Sequence, residues 1–323
     1  YEIRNKNLLD DLCSGSAKAV ADGVVSYALG SDSNGSRHLA AIRNGISFIK
    51  PTYGTVSRYG LVANASSMEQ IGVYTKSIRE GFQVLENIAG YDEKDGTSYQ
   101  TKSYQYQSTM NDAKGIKIGI PSECFCEDKG FESIQQQKFI SKLRGFGANI
   151  RELEFAYLEL IEDIGLILSS AEFSNNISRF DGIKYGYRTK NYKNVDDLIV
   201  NSRTESFELE TKLKAMLGSF VLSEGNYKQY YEKAMQIRQL IKEEMDRAFA
   251  LCDVLMIPVS KEETSSSNKS AYPVLSLGNL TGCPVLSVPY ERKENGTCSG
   301  VQLIAKEFNE NILWRLGGAF DEI

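Results

Sequence analysis

The chain reads as an α/β protein, helices and strands combined in one large continuous domain. Three observations predict this. Short apolar runs bounded by Gly, Pro or Asp alternate with segments of helical length, as in Ile116–Ile120, Glu132–Arg144 and Asn149–Leu153. Between Tyr227 and Leu251, the residues Ala234, Ile237, Ile241, Met245 and Ala248 recur at steps of three and four, which predicts a long helix with one buried stripe. No internal repeat or linker divides the 323 residues, a length able to bury a substantial core.

The elements follow in order. Ala17–Val25 is predicted helical, and Tyr27–Leu29 is a short strand feeding a loop of Gly, Ser and Asn. Ser77 to Glu80 form a capping box ahead of a helix carrying Phe82, Leu85 and Ile88 and closed by Gly90. Glu93–Asn111, rich in Tyr, Gln and Ser, is expected to be a surface loop. Val254–Ile257 has the character of a central strand, and Lys261–Ser270 that of a charged, serine-rich loop. Leu286–Val288 and Val301–Ala305 are further strand candidates, and a closing helix is expected over Asn309–Phe320.

Composition narrows the function classes. A net charge of -5 argues against a dominant nucleic-acid surface, because phosphate neutralisation needs clustered Lys and Arg. The apolar run Leu158–Ala171 is interrupted by Glu159, Glu162 and Asp163, so no bilayer span is expected. Tyr1–Leu12 lacks the basic-then-apolar pattern of a signal peptide, so the expected setting is the cytosol or an organelle interior. The six cysteines lack zinc spacing, Cys124 and Cys126 have no histidine nearby, and His38 is the only histidine; free thiols and no metal are expected.

The chemistry is concentrated in Gly30–Arg37, sequence GSDSNGSR. Small residues let backbone N–H groups converge on one point, which can stabilise a phosphate or an oxyanion. The G-K-[ST] ending of a nucleotide loop is missing, and the loop taken alone is also compatible with an ordinary turn. Its flanks are more specific. Lys50–Ala63 (KPTYGTVSRYGLVA) and Ser66–Gly72 (SSMEQIG) closely resemble the amidase signature family. Ser178–Gly186 (SRFDGIKYG), Leu217–Ser223 (LGSFVLS) and the stretch from Tyr230 to Lys242 are similar to the A subunits of tRNA-dependent amidotransferases within that family.

The resemblance covers essentially the whole chain and carries implications. It implies an amidase-like mixed sheet over residues 1–323, with a further segment expected before Tyr1. The family's D-x-G-G-S loop places Ser36 at the nucleophile position, and Ser33, Asn34 and Gly35 where backbone amides help form the oxyanion hole. A serine hydroxyl attacks only once a base has removed its proton. The family relays that proton through a serine held by a cis peptide bond to a neutral lysine. The ungapped register puts Leu12 at the relay position, and the lysine position falls before Tyr1. A register shift would offer Cys13 or Ser14 instead. His38 is either a substitute base or a solvent-facing polar side chain. Glutamine selection in the family uses an arginine and an acid; Lys214 stands at the first position, keeping the charge without the planar fork, and Tyr272 at the second.

Two functions therefore stand as expectations. One is the glutaminase subunit that releases ammonia for conversion of Glu-tRNA(Gln) to Gln-tRNA(Gln), or a simple amidase of other small amides. The other is a degenerate relative with a structural or partner-binding role. The resemblance further implies B- and C-type partner subunits, tRNA contacted mainly through a partner, and ATP and Mg used by a partner rather than by this chain.

Overall fold

The computed structural model describes residues 14–100, 104–106, 113–125, 134–259, 274–292, 298–318 and 320. Helix α1 (Gly15–Ala21) leads into strand β1 (Tyr27–Asp32), and α2 (Ser36–Arg43) into β2 (Ser47–Lys50). Strand β3 (Gln70–Thr75) precedes α3 (Ile78–Ile88). A β4–α4–β5 unit follows, with β4 at Lys117–Pro121, α4 at Ile134–Gly145 and β5 at Asn149–Leu153. Three helices come next: α5 (Ile161–Ile177), α6 (Val195–Ser206) and α7 (Leu209–Leu222). A π-helical turn at Lys228–Glu232 opens α8 (Lys233–Phe249), which feeds β6 (Val254–Val259). The chain closes through α9 (Leu277–Thr281), β7 (Val285–Arg292), β8 (Cys298–Ala305) and α10 (Glu310–Gly318).

The strands form one sheet in the order β1-β3-β2-β7-β8-β6-β4-β5. Strand β4 runs parallel to β5 and β6, and the remaining pairs are antiparallel, so the sheet is mixed as expected. All six residues of β6 are buried, which explains why Val254–Ile257 reads as an unbroken apolar run: both faces of a central strand are covered. The predicted stripe on α8 is the buried one, with Ala234, Ile241, Met245 and Ala248 packed inward. Ser77 caps α3 by accepting from the Glu80 amide at 3.3 Å.

Several expectations need revision. Helix α1 stops at Ala21, four residues before the predicted end, because Gly23 adopts φ 75 and turns the chain. Strand β1 continues to Asp32, since its register with β3 runs the full length from Tyr27–Thr75 to Asp32–Gln70. Within the expected surface loop 93–111, Tyr106 is instead in the core, its ring 5.4 Å from that of Phe82. Cys124, Cys252, Cys283 and Cys298 form no disulfide among the described residues, whereas Cys13 and Cys126 lie outside them. Among the described residues no helix is long and apolar enough to cross a membrane.

Candidate active site

The site is built where β1 ends and α2 begins. Asp32 is the last residue of β1 and is fully buried. Its carboxylate accepts the Gly35 amide at 3.1 Å and the Arg37 amide at 3.0 Å, folding Ser33–Gly35 into a tight turn. Gly35 sits at φ 79 with its Cα against the Leu275 carbonyl, so a side chain would be both strained and obstructed. This is the physical reason for glycine here. Ser36 is then the first residue of α2, half-buried, and among the described residues no hydrogen bond occupies its hydroxyl.

A second layer holds Asp32. Asn279 of α9 divides its side-chain N–H groups among Asp32 Oδ2 (2.9 Å), the Asp32 carbonyl (3.1 Å) and the Met68 carbonyl (3.1 Å). Lys50, at the end of β2, is itself buried and secures α9 from below. Its ammonium donates to the Cys283 carbonyl at 2.7 Å and to the Gly278 carbonyl at 3.4 Å. Burial pulls the Lys50 pKa down to about 8, opposed chiefly by the charge of Asp32.

His38 is also in this layer, which corrects the expectation of a solvent-facing side chain. It lies on the inner face of α2 with no exposed surface. Its Nδ1 is 2.6 Å from Ser287 Oγ on β7, and Nε2 stands 3.8 Å from Asp32 Oδ2 without a hydrogen bond. Desolvation lowers its pKa to about 4 despite the nearby carboxylate, with Lys50 adding to the fall, so the ring is neutral at ordinary pH. The adjacent carboxylate favours the tautomer protonated at Nε2, leaving Nδ1 to accept from the Ser287 hydroxyl. The row Ser287–His38–Asp32 has the order of a proton relay, but all three residues are sealed from solvent. No hydrogen bond joins His38 to Ser36.

The opposite side of the loop is more open. Ser33 Oγ accepts from Asn64 Nδ2 at 3.3 Å, and Asn64 Oδ1 accepts from Lys214 Nζ at 3.2 Å. Lys214 projects from α7 and also lies 5.0 Å over the Phe173 ring. Burial lowers its pKa and Glu69 opposes the shift, yet among the described residues no carboxylate comes within ion-pair distance. Glu69 is instead taken up by Ser31 Oγ (3.1 Å) and the Asn64 amide (3.0 Å). Asn34 donates to Ser169 Oγ on α5 at 3.0 Å, and its own Oδ1 is buried without a partner. The structure therefore gathers Ser33, Asn34, Gly35, Ser36 and Lys214 around one loop.

Leu12 and Tyr272 lie outside the described residues, as does Cys13. Ser14 is buried and faces the Tyr74 hydroxyl together with Arg37; burial pushes that phenol up to about 12. Asn64 and Asn279 carry much of the geometry without standing out in the sequence, and Lys50 stands out there only as the first residue of the KPTYG segment. Asn64 falls between the two recognisable segments at 50–63 and 66–72, where nothing in residue type marks it. Among the described residues no group of three or more His, Cys, Asp or Glu side chains could hold a metal ion.

A serine at a helix start, backed by a buried aspartate and followed in space by a lone cation, accompanies a family match over residues 13–313, described as Amidase. The chain belongs to the amidase family. It is 41% identical over 319 residues to the A subunit of the Lachnospira eligens glutamyl-tRNA(Gln) amidotransferase, covering 95% of this chain and 66% of that one. The corresponding protein of Bacillus pumilus is 40% identical over 319 residues, with the same coverage. Among solved structures, the A subunit of the Thermotoga maritima enzyme matches at 30% identity and TM-score 0.72, covering 95% of this chain and 64% of that chain. The peptide amidase of Stenotrophomonas maltophilia shares the fold, at 24% identity and TM-score 0.75 over 95% of this chain and 64% of that one. The chain thus spans about two thirds of the length of the curated relatives it matches.

Proposed function

We propose that this chain is the acyl-transfer part of an amidase resembling the A subunit of the tRNA-dependent amidotransferase, and that by itself it has little or no glutaminase activity. In this reading Ser36 is the nucleophile, the amides of Ser33 and Asn34 face the oxyanion while that of Gly35, expected to join them, is held by the Asp32 carboxylate, and Lys214 receives a substrate carboxylate as a point charge. Tyr272 stands at the position of the acid that would meet the substrate amine.

The observation that supports the binding half most strongly is Lys214, a half-buried cation with no carboxylate partner among the described residues, tied through Asn64 to the loop that carries Ser36. The loss of turnover in this reading rests on Leu12: an isobutyl group at the relay position can neither accept nor donate a proton. The asparagine at 34 adds to it. Its side chain, anchored to Ser169, stands at a position where the resemblance implies glycine. Ammonia released by a complete enzyme would be passed to B- and C-type partner subunits, which would handle ATP, magnesium and most of the tRNA.

The test is ammonia release from glutamine by the purified chain, alone and with B and C subunits, beside a Ser36→Ala control. We expect the parent to be indistinguishable from the control. A robust rate in the parent that disappears in Ser36→Ala would overturn the loss of turnover while supporting Ser36. A robust rate that survives in the variant would overturn Ser36 as nucleophile.

A further inference from the structure

Helix α7 has two apolar faces. The inner face packs on α5, with Gly218 and Val221 buried and the Gly218 Cα against the Ser170 carbonyl. On the outer face Leu209, Leu213, Met216 and Phe220 are spaced four, three and four residues apart and are 63, 56, 68 and 49% exposed. That spacing is the seam of a two-helix contact, about 16 Å long at 1.5 Å per residue. The apolar surface continues into the π-helical turn, where the Tyr230 ring lies 5.5 Å from Phe220 and Tyr227 is exposed. The adjacent α8 behaves differently. Its outward residues include Lys233, Gln236, Glu243 and Arg247, the usual solvated face. A contiguous apolar stripe exposed on a helix whose opposite face is already packed ordinarily marks a contact surface.

We propose that the outer face of α7 is a docking surface for an amphipathic helix of another protein, one with aliphatic residues at seam positions and basic residues at the end that meets Glu208 and Glu210. Charge decides the occupant. Glu208 and Glu210 are exposed at the start of the stripe, and the nearest lysine in sequence, Lys212, is occupied by the Thr204 carbonyl at 2.9 Å. Glu224 is exposed beyond the other end, with Lys228 one turn further along. Two copies in parallel would stack Glu208 and Glu210 on themselves, and two antiparallel copies would set them towards Glu224. A basic-ended partner meets no such repulsion. The surface rests on no catalytic step and stands whether or not the chain hydrolyses amides.

The experiment uses the full chain and two designed helical peptides of four heptads with leucine at the seam, one flanked by lysine and one by glutamate. Fluorescence anisotropy reads binding, and oxidation of Met216 under hydroxyl-radical footprinting reads the location. We expect the lysine-flanked peptide to bind at least tenfold more tightly than its counterpart and to slow Met216 oxidation. Leu213→Gln with Met216→Gln should weaken that binding at least tenfold with an unchanged melting temperature. Glu208→Lys with Glu210→Lys should reverse the preference. Equal or absent binding of the two peptides would overturn the proposal. So would a dimer in sedimentation that the double glutamine variant dissolves, which would assign the surface to a second copy. Slow Met216 oxidation in the bare chain would also overturn it, by showing the face covered by the chain itself.

Discussion

The two sides of the Ser36 loop are constructed on opposite principles. Behind the loop, Asp32, Asn279, His38, Ser287 and Lys50 are all buried and interlocked by hydrogen bonds mostly of 2.6–3.1 Å, with His38 Nε2 and Asn279 Oδ1 left unpaired. In front, Ser33, Asn64 and Lys214 are joined by longer bonds of 3.2–3.3 Å, Lys214 has no ionic partner among the described residues, and Asn34 leaves an oxygen unpaired. The back is a frame whose groups depend on each other; the front consists of groups with capacity left for something else. Function can drift in front while the frame keeps the loop in shape. A recognisable amidase loop can persist on such a frame whether or not the groups in front of it still turn over substrate.

Removing Asp32 should have the largest effect. Asp32→Ala strands the Gly35 and Arg37 amides and the Asn279 amide together, and a cost of about 3–5 kcal/mol is expected in denaturant melts, enough to unfold a marginal domain. A loss below about 1 kcal/mol would remove the distinction between frame and front. Gly35→Ala comes next, at about 3 kcal/mol, from the positive φ combined with the obstruction by Leu275.

The frame also makes an acid-sensitive contribution. His38 titrates near 6.5 when unfolded and at about 4 when folded, so the unfolded state takes up its proton first as pH falls. Stability attributable to this ring is therefore complete above pH 6.5, declines between 6.5 and 4, and is lost by about 3 kcal/mol below that. His38→Gln should flatten this part of the pH–stability curve, as read by urea midpoints at successive pH values. An unchanged slope would show that other groups dominate. The smallest effect belongs to the front: Lys214→Met should change stability by less than about 0.5 kcal/mol, because it removes one long hydrogen bond and relieves a desolvated charge. A larger loss would place Lys214 in the frame.

The sequence carried the parts of this picture that depend on local pattern. The α8 stripe, the Ser77 cap and the β4–α4–β5 unit follow from periodicity and capping chemistry, and the β1–α2 loop from its small residues. Helix α7 escaped because a helix apolar on both faces has no 3.6-residue contrast to detect. His38 was misplaced because residues 36–38 read as the tail of a polar loop, whereas α2 already begins at Ser36 and turns position 38 inward. Asn64 and Asn279 could not be found this way. Each acts on residues distant in sequence, 31 positions for Asn64 and Ser33, and 247 for Asn279 and Asp32. Only the assembled sheet brings them together.

The contact at Gly218 has a mechanical consequence. Because α7 meets α5 with no side chain between Gly218 and the Ser170 carbonyl, the two helices cannot slide past one another without parting. Lys214 lies one turn before Gly218 on α7, and Ser169, which holds Asn34, is next to Ser170 on α5. The pair is in effect a single stiff beam with Lys214 on one member and the anchor of the β1–α2 loop on the other. A load applied at Lys214, or on the outer face of α7, would reach Asn34 with little lost in transmission.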